Sequence, residues 1–137
     1  MINVKPLSSL QDLKPFEIQP AQKHEAADFD CLTEISADIF VVENEDITLA
    51  VIWFVPKGHG RIETGCFMSA HAGKCFIPMK RAFERLLNFY PCGRLETTVK
   101  SDFNAGHRML KILGFEREGT MKNFFDKHNY DLYARCR

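Results

Sequence analysis

Neither sign of charge is in excess: 18 Lys and Arg balance 18 Asp and Glu, and the sequence pI is about 6.9. Such a chain has no overall field to draw it to nucleic acid or anionic lipid, so neither is expected as a partner. Long apolar runs are lacking too. The longest, residues 47–55, is nine residues, about half of what a membrane-spanning helix needs. The opening MINVKPLSSL holds neither an apolar stretch nor a small-residue cleavage site, and the expectation is a cytoplasmic protein. Five cysteines (Cys31, Cys66, Cys75, Cys92, Cys136) are odd in number and scattered, with no Cys-x-x-Cys, which fits reduced thiols and excludes a disulfide scaffold. Cys66, His71 and Cys75 lack a fourth ligand and a standard zinc spacing, so no metal is expected. Cys75, beside Lys74, reads as an inert thiol more readily than as a nucleophile. Tryptophan occurs once against twelve phenylalanines, which points to a core filled with benzyl rings. There is no internal repeat and no Gly/Pro-rich linker. The 137 residues read as one domain, 1–137.

What is present is a clear order of elements. INVKP (2–6) alternates as a strand does. Ser8 or Ser9 caps a helix over 10–16 that Pro15 cuts short. Residues 17–31 read as a polar surface helix, opened by Pro20 and running to about Phe29, plus a loop. DIFVVE (38–43), ITLAVIWFV (47–55) and RIETGCFMS (61–69) are β-branched and aromatic, with turn segments at 44–46 and 56–60, so they form an antiparallel meander. The middle strand is apolar almost throughout, as in a strand covered on both faces. SAHAGKC (69–75) is a loop of small residues leading into a helix over 76–90. Phe76, Met79, Phe83, Leu86, Leu87 and Tyr90 follow its apolar face, and Pro91-Cys92-Gly93 end it. Strands 61–69 and 94–101 are then parallel neighbours joined by a right-handed crossover. Lys80, Arg81 and Arg85 read as a solvated helix face.

The last third is the most specific. NAGHRMLKILGF (104–115) is a helix with Met109, Leu110, Ile112 and Leu113 on or near one face, ended by Gly114 in a left-handed conformation. EREGTMKNFF (116–125) and NYDLYARC (129–136) make a final hairpin. Asn104, Arg108, Leu110, Leu113, Gly114, Phe115, Glu118, Gly119, Asp131 and Tyr133 carry a resemblance to the C-terminal half of GNAT-type acyl-CoA N-acyltransferases. The look is nearest to the branch that acetylates ribosomal proteins and to small GNAT-like proteins of bacteriophages.

The resemblance implies an α+β fold, a mixed and mostly antiparallel sheet of six or seven strands with flanking helices and a splayed parallel strand pair. It implies transfer of acetyl from acetyl-CoA, as co-substrate, to a primary amine (a protein N-terminus, a lysine or a small amine). It places the backbone of Phe67, Met68 and Ser69 on the amides of the pantetheine arm. The loop amides of Ala72 and Gly73, with Lys74, would meet the pyrophosphate, where a helix N-terminus favours an anion. Asn104 would touch the cofactor, cap its own helix, or both. Glu63 and Glu96 are the candidate general bases, with His59 and His71 on adjoining loops. Two positions depart from the family pattern. The phosphate loop has one glycine, Gly73, with Ala70 and Ala72 as its other small residues. The helix position that holds a proton-donating tyrosine in many members falls on Leu110, leaving water, Tyr130, Tyr133 or a cysteine to protonate the thiolate. An alternative stays open: a GNAT-shaped phage virion or accessory protein without activity. A homodimer is a further expectation, because an apolar final strand at a sheet edge invites pairing.

Overall fold

The computed structural model describes residues 2–25, 29–34, 37–90 and 93–136. Seven strands form one mixed sheet: β1 (Asn3–Pro6), β2 (Asp38–Glu43), β3 (Thr48–Gly58), β4 (Arg61–Met68), β5 (Arg94–Lys100), β6 (Glu116–Phe125) and β7 (His128–Cys136), in the order β1-β2-β3-β4-β5-β7-β6. Accompanying them among the described residues are the helices α1 (Phe76–Phe89) and α2 (Asn104–Ile112). The predicted α+β class and the parallel β4–β5 neighbours are what is found. No helix among the described residues is long and apolar enough to cross a membrane. By internal contacts the chain falls into two units, residues 1–55 with 65–89, and residues 56–64 with 90–137.

In the first unit, β1 and β3 flank β2 antiparallel, with Val4 opposite Val42 and Val41 opposite Val51. β3 is buried from Thr48 through Ile52 and again at Phe54, as its mostly apolar sequence requires. Leu7, Leu32, Ile39, Val41, Val51 and Phe67 make a core against which Leu10, Leu13, Phe16, Ile18, Phe29 and Trp53 pack. The helix predicted over 10–16 is only a 3₁₀ turn, Leu10–Asp12, capped as expected by Ser9, whose Oγ accepts from Gln11 N–H. Leu13 is already extended, and Pro15 disfavours helix at Lys14, so the turn does not resume. Pro20 opens a 3₁₀ helix, Pro20–Glu25; the rest of the predicted helix, 26–28, lies outside the described residues. α1 buries Met79, Ala82, Phe83, Leu86 and Leu87 on one face, with Phe76 partly exposed at its start. Its predicted terminator, 91–92, also lies outside the described residues.

In the second unit the turn before β4 is tighter than predicted. β3 runs on through Pro56 to Gly58, and Gly58, His59 and Gly60 all take positive φ. Arg61, Ile62 and Glu63 pair in parallel with Arg94, Leu95 and Glu96. β5 then pairs antiparallel with β7 along its whole length, and β7 with β6. The final strand therefore sits between two others. The edge beside it is β6, whose residues are mostly exposed and polar, and this corrects the expectation that the final strand is itself an apolar sheet edge. Gly114 has φ +88 at the end of α2, the left-handed stop read from the sequence.

Candidate functional site

The end of β4 is built around two aromatic rings. A Cβ on Gly65 would run into the Trp53 indole, so only glycine lets the ring lie against this strand. Phe67, two residues on and on the same face, is 1% exposed, with its ring 5.4 Å from Trp53 and 5.3 Å from Phe29. Ser69 N–H donates to the Leu49 carbonyl of β3 at 2.8 Å, so the odd-numbered amides here face β3. The even-numbered ones point to the opposite edge, and that edge is already bonded. Met68 N–H donates to Gln22 Oε1 (2.9 Å), Gln22 Nε2 donates to the Cys66 carbonyl (2.7 Å), and Gln19 N–H donates to the Met68 carbonyl (2.8 Å). Gln19 Nε2 steadies the Gln22 carboxamide at 2.8 Å, and Ile18 bridges antiparallel to Ser69. Of the backbone predicted to meet pantetheine, Phe67 is core, Ser69 faces β3, and Met68 is held by residues 19 and 22.

From Ser69 the chain turns into α1. Ser69, 4% exposed, accepts from His71 N–H on its Oγ at 3.0 Å and from Ala72 N–H on its carbonyl at 3.2 Å. Ala72 is buried, whereas Gly73 and Lys74 are exposed within a 3₁₀ turn, Ala72–Cys75, that runs directly into α1. His71 gives this turn no side-chain cap; its ring is 2.8 Å from the Glu17 carboxylate instead. First-turn amides without a side-chain cap are left to solvent or to a ligand. Gly73 has ordinary φ, and a Cβ there would meet nothing within 4 Å. The fold does not require glycine at this position.

Asn104, at the head of α2, is exposed, and the cap position belongs to Phe103, which makes no side-chain cap bond. Gly106 is needed for packing, since a Cβ would approach Val99 Cγ2 to 2.6 Å. The helix is fastened by His107. Its Nε2 is 2.9 Å from the Ser101 carbonyl, so Nε2 carries the proton, and Nδ1 accepts from the Tyr133 hydroxyl at 2.7 Å. Tyr133 and Tyr130 are 1% and 3% exposed, and burial, with the Asp131 charge beside it, raises the Tyr133 phenol. Leu110 is half-buried. Burial also pushes the Cys66 thiol up to about 12, with Glu25 contributing.

The two candidate bases stand in different company. Glu96 lies between two guanidinium groups: Arg61 Nε and Nη2 reach it at 2.6 and 3.2 Å, and Arg94 Nε at 3.0 Å. The Arg61 hydrogen bond, aided by Arg94 and opposed by burial, holds the Glu96 carboxyl below its usual range. Arg94 is bound on its far side by Glu118. Glu63 is half exposed and pairs with Lys57 at 2.9 Å. Among the described residues, no group of three or more His, Cys, Asp or Glu could hold a metal ion.

Sequence reasoning missed Gln19 and Gln22. Two neutral amides around a proline in a polar stretch carry no periodicity, and their partners lie far along the chain. The one available signal was the pair of carboxamides three residues apart, a spacing that lets them bond to each other.

Solved structures similar in fold to the whole chain include three acetyltransferases. An IAA acetyltransferase from Bacillus cereus ATCC 14579 has a TM-score of 0.76 at 9% identity, over 100% of both chains. The ribosomal-protein-S5-alanine acetyltransferase from Vibrio fischeri has a TM-score of 0.71 at 15% identity, over 98% of this chain and 92% of its own. A GNAT family acetyltransferase from Elizabethkingia anophelis with acetyl-CoA bound has a TM-score of 0.70 at 15% identity, over 99% of this chain and 98% of its own. The chain has the GNAT fold. By sequence, no family model matches it and no curated protein does.

Proposed function

We propose that this chain is an N-acetyltransferase that moves acetyl from acetyl-CoA to a primary amine on a protein N-terminus, a lysine or a small molecule. The observation that carries the reading is the end-to-end match of fold to acetyltransferases, one of them with acetyl-CoA bound. Gly73 adds weight. A glycine required neither by backbone conformation nor by packing leaves room for a ligand to approach the first-turn amides, with Lys74 as the neighbouring cation. Of the strand and loop, Met68 and Ala72 join them, since Phe67 is core and Ser69 is turned to β3, and Asn104 is exposed at the head of α2.

In the reaction the amine nitrogen attacks the thioester carbonyl. The C–N bond forms, the C–S bond breaks, and sulfur leaves as a thiolate. Of the two carboxylates we assign proton acceptance to Glu63. Its exposed pair with Lys57 is worth little and opens easily, whereas Glu96 is held charged by three guanidinium bonds and serves to position Arg61 and Arg94. With Tyr133 donating inward to His107, the thiolate takes its proton from water. A second reading, a GNAT-shaped phage accessory protein without activity, is favoured by the bonds already made to Met68.

Calorimetric titration with acetyl-CoA and CoA, with thermal shifts beside it, tests the proposal. Binding that is lost in Gly73→Trp, at an exposed position where a Cβ has open space, is the expected result. If neither the native chain nor Gln22→Ala binds millimolar ligand, the transferase reading is wrong and the second stands.

A further inference from the structure

The Gln22 side chain does to β4 what a strand neighbour's peptide group would do. Its oxygen accepts from Met68 N–H and its nitrogen donates to the Cys66 carbonyl, at 2.9 and 2.7 Å. Gln19 N–H completes the pattern on the Met68 carbonyl, and Ala70 N–H donates to the Glu17 carbonyl at 2.8 Å. Residues 17–22 thus cover a strand edge by β-augmentation from within the same chain. The two amides of a pantetheine arm have the same donor and acceptor groups as a peptide, so they compete for the same atoms of β4.

We infer that residues Glu17–Glu25 are a displaceable strap, with Gln22 as its latch, and that acyl-CoA binds by replacing the Gln22 carboxamide on Met68 and Cys66. The inference rests on the acetyltransferase reading and adds the step that admits the co-substrate. The strap is made to lift at one end. Phe16 and Ile18 pack against the core and stay, whereas the 3₁₀ turn Pro20–Glu25 has no buried residue. Such a segment opens at low cost. Its bonds to β4 are between neutral groups, so exchanging them for pantetheine amides leaves no charge uncompensated. The Glu17–His71 contact, at 2.8 Å between exposed groups, ties the anchored end to the loop that precedes Gly73.

Two measurements test the strap. Titrations of native chain and Gln22→Ala compare acetyl-CoA with 3′-phospho-ADP, which has the nucleotide and no pantetheine. Loss of the latch should tighten acetyl-CoA about tenfold, the worth of two net hydrogen bonds, and leave 3′-phospho-ADP unchanged. Hydrogen exchange on the native chain gives a readout that does not depend on a variant's folding: acetyl-CoA should speed exchange in peptides covering 17–22 while slowing it around 72–76. Acetyl-CoA that binds native chain and Gln22→Ala equally, or that slows exchange at 17–22, overturns the strap and leaves the transferase reading intact. Absence of binding to both chains overturns both. Equal tightening of acetyl-CoA and 3′-phospho-ADP also overturns the strap, because the gain would not come from the pantetheine arm.

Discussion

The amides at the end of β4 and the carboxylate of Asp131 in β7 are each hydrogen-bonded on every side available, but by opposite chemistry. Asp131, 6% exposed, accepts from Ser101 Oγ at 2.7 Å, Thr120 Oγ1 at 2.9 Å and Arg117 Nε at 2.9 Å, and His107 Nε2 lies 3.9 Å away. Cys66 and Met68 are met by neutral amides from a segment with no buried residue in its outer turn. A buried charge has no comparable substitute for its partners, so the Asp131 cluster is a fixed part of the fold. Neutral amides are interchangeable with those of a ligand, so the β4 edge can change partners. The same hydrogen-bond inventory gives rigidity in one place and exchange in the other.

The sharpest break in that contrast comes from Asp131→Ala. It removes the bonds that the buried carboxylate accepts from half-buried Ser101 and from exposed Thr120 and Arg117, and should cost about 2 kcal/mol in urea unfolding, little of it from Arg117, whose pair is half exposed and screened. A cost below about 1 kcal/mol would make this cluster as exchangeable as the β4 edge.

Acid titration separates the two regions next. Burial alone would raise the Asp131 carboxyl, but the bonds from Ser101, Arg117 and Thr120 outweigh it and hold it below its usual 3.8; Glu96 and Glu118 are likewise held below 4.5, first by Arg61 and Arg94 respectively. Folded-state values below the unfolded ones mean stability that is present above about pH 4.5 and is lost as pH falls through the depressed range. Unfolding free energy should therefore drop steeply below that pH, and Asp131→Asn should flatten the slope by about one proton. Gln22→Ala, which removes no charge, should leave the slope alone.

How much of this was legible beforehand depended on whether a feature had a period or a local stop. β3 declared itself by a nearly unbroken apolar stretch over 47–55, α1 by its helical spacing, and the end of α2 by Gly114. The helix expected over 10–16 shrinks to a turn that ends at Asp12, three residues before Pro15, so its end is earlier than the proline alone announces. The edge position of the last strand was misread because chain order does not give sheet order: β7 threads between β5 and β6, and its burial at Tyr130, Asp131, Tyr133 and Ala134 follows from two neighbours. At the candidate site, the loop around Gly73 was legible as small residues before a helix. The clamp on Glu96 was not, since Arg61 lies 35 residues away and meets it only through the parallel register of β4 and β5. The latch was least legible of all, because glutamine in a polar segment is compatible with almost any local structure.

Gln22→Ala itself should cost only about 1 kcal/mol of global stability, two part-buried neutral bonds in a segment that water can reach.

The smallest and most local test is the Cys66 thiol, whose own carbonyl is held by Gln22. A half-buried thiol pushed up to about 12 is far poorer in thiolate at neutral pH than the same group in the unfolded chain. Alkylation mapped by mass spectrometry should therefore find Cys66 nearly inert while exposed Cys31 and Cys136 react. Lifting the strap returns water to the thiol, so Gln22→Ala, or saturating acetyl-CoA on the native chain, should speed labelling at Cys66 and leave Cys31 and Cys136 at their native rates. Equal labelling of Cys66 with and without the latch would mean that its burial does not come from residues 19–25, and that the β4 edge is as fixed as the surroundings of Asp131.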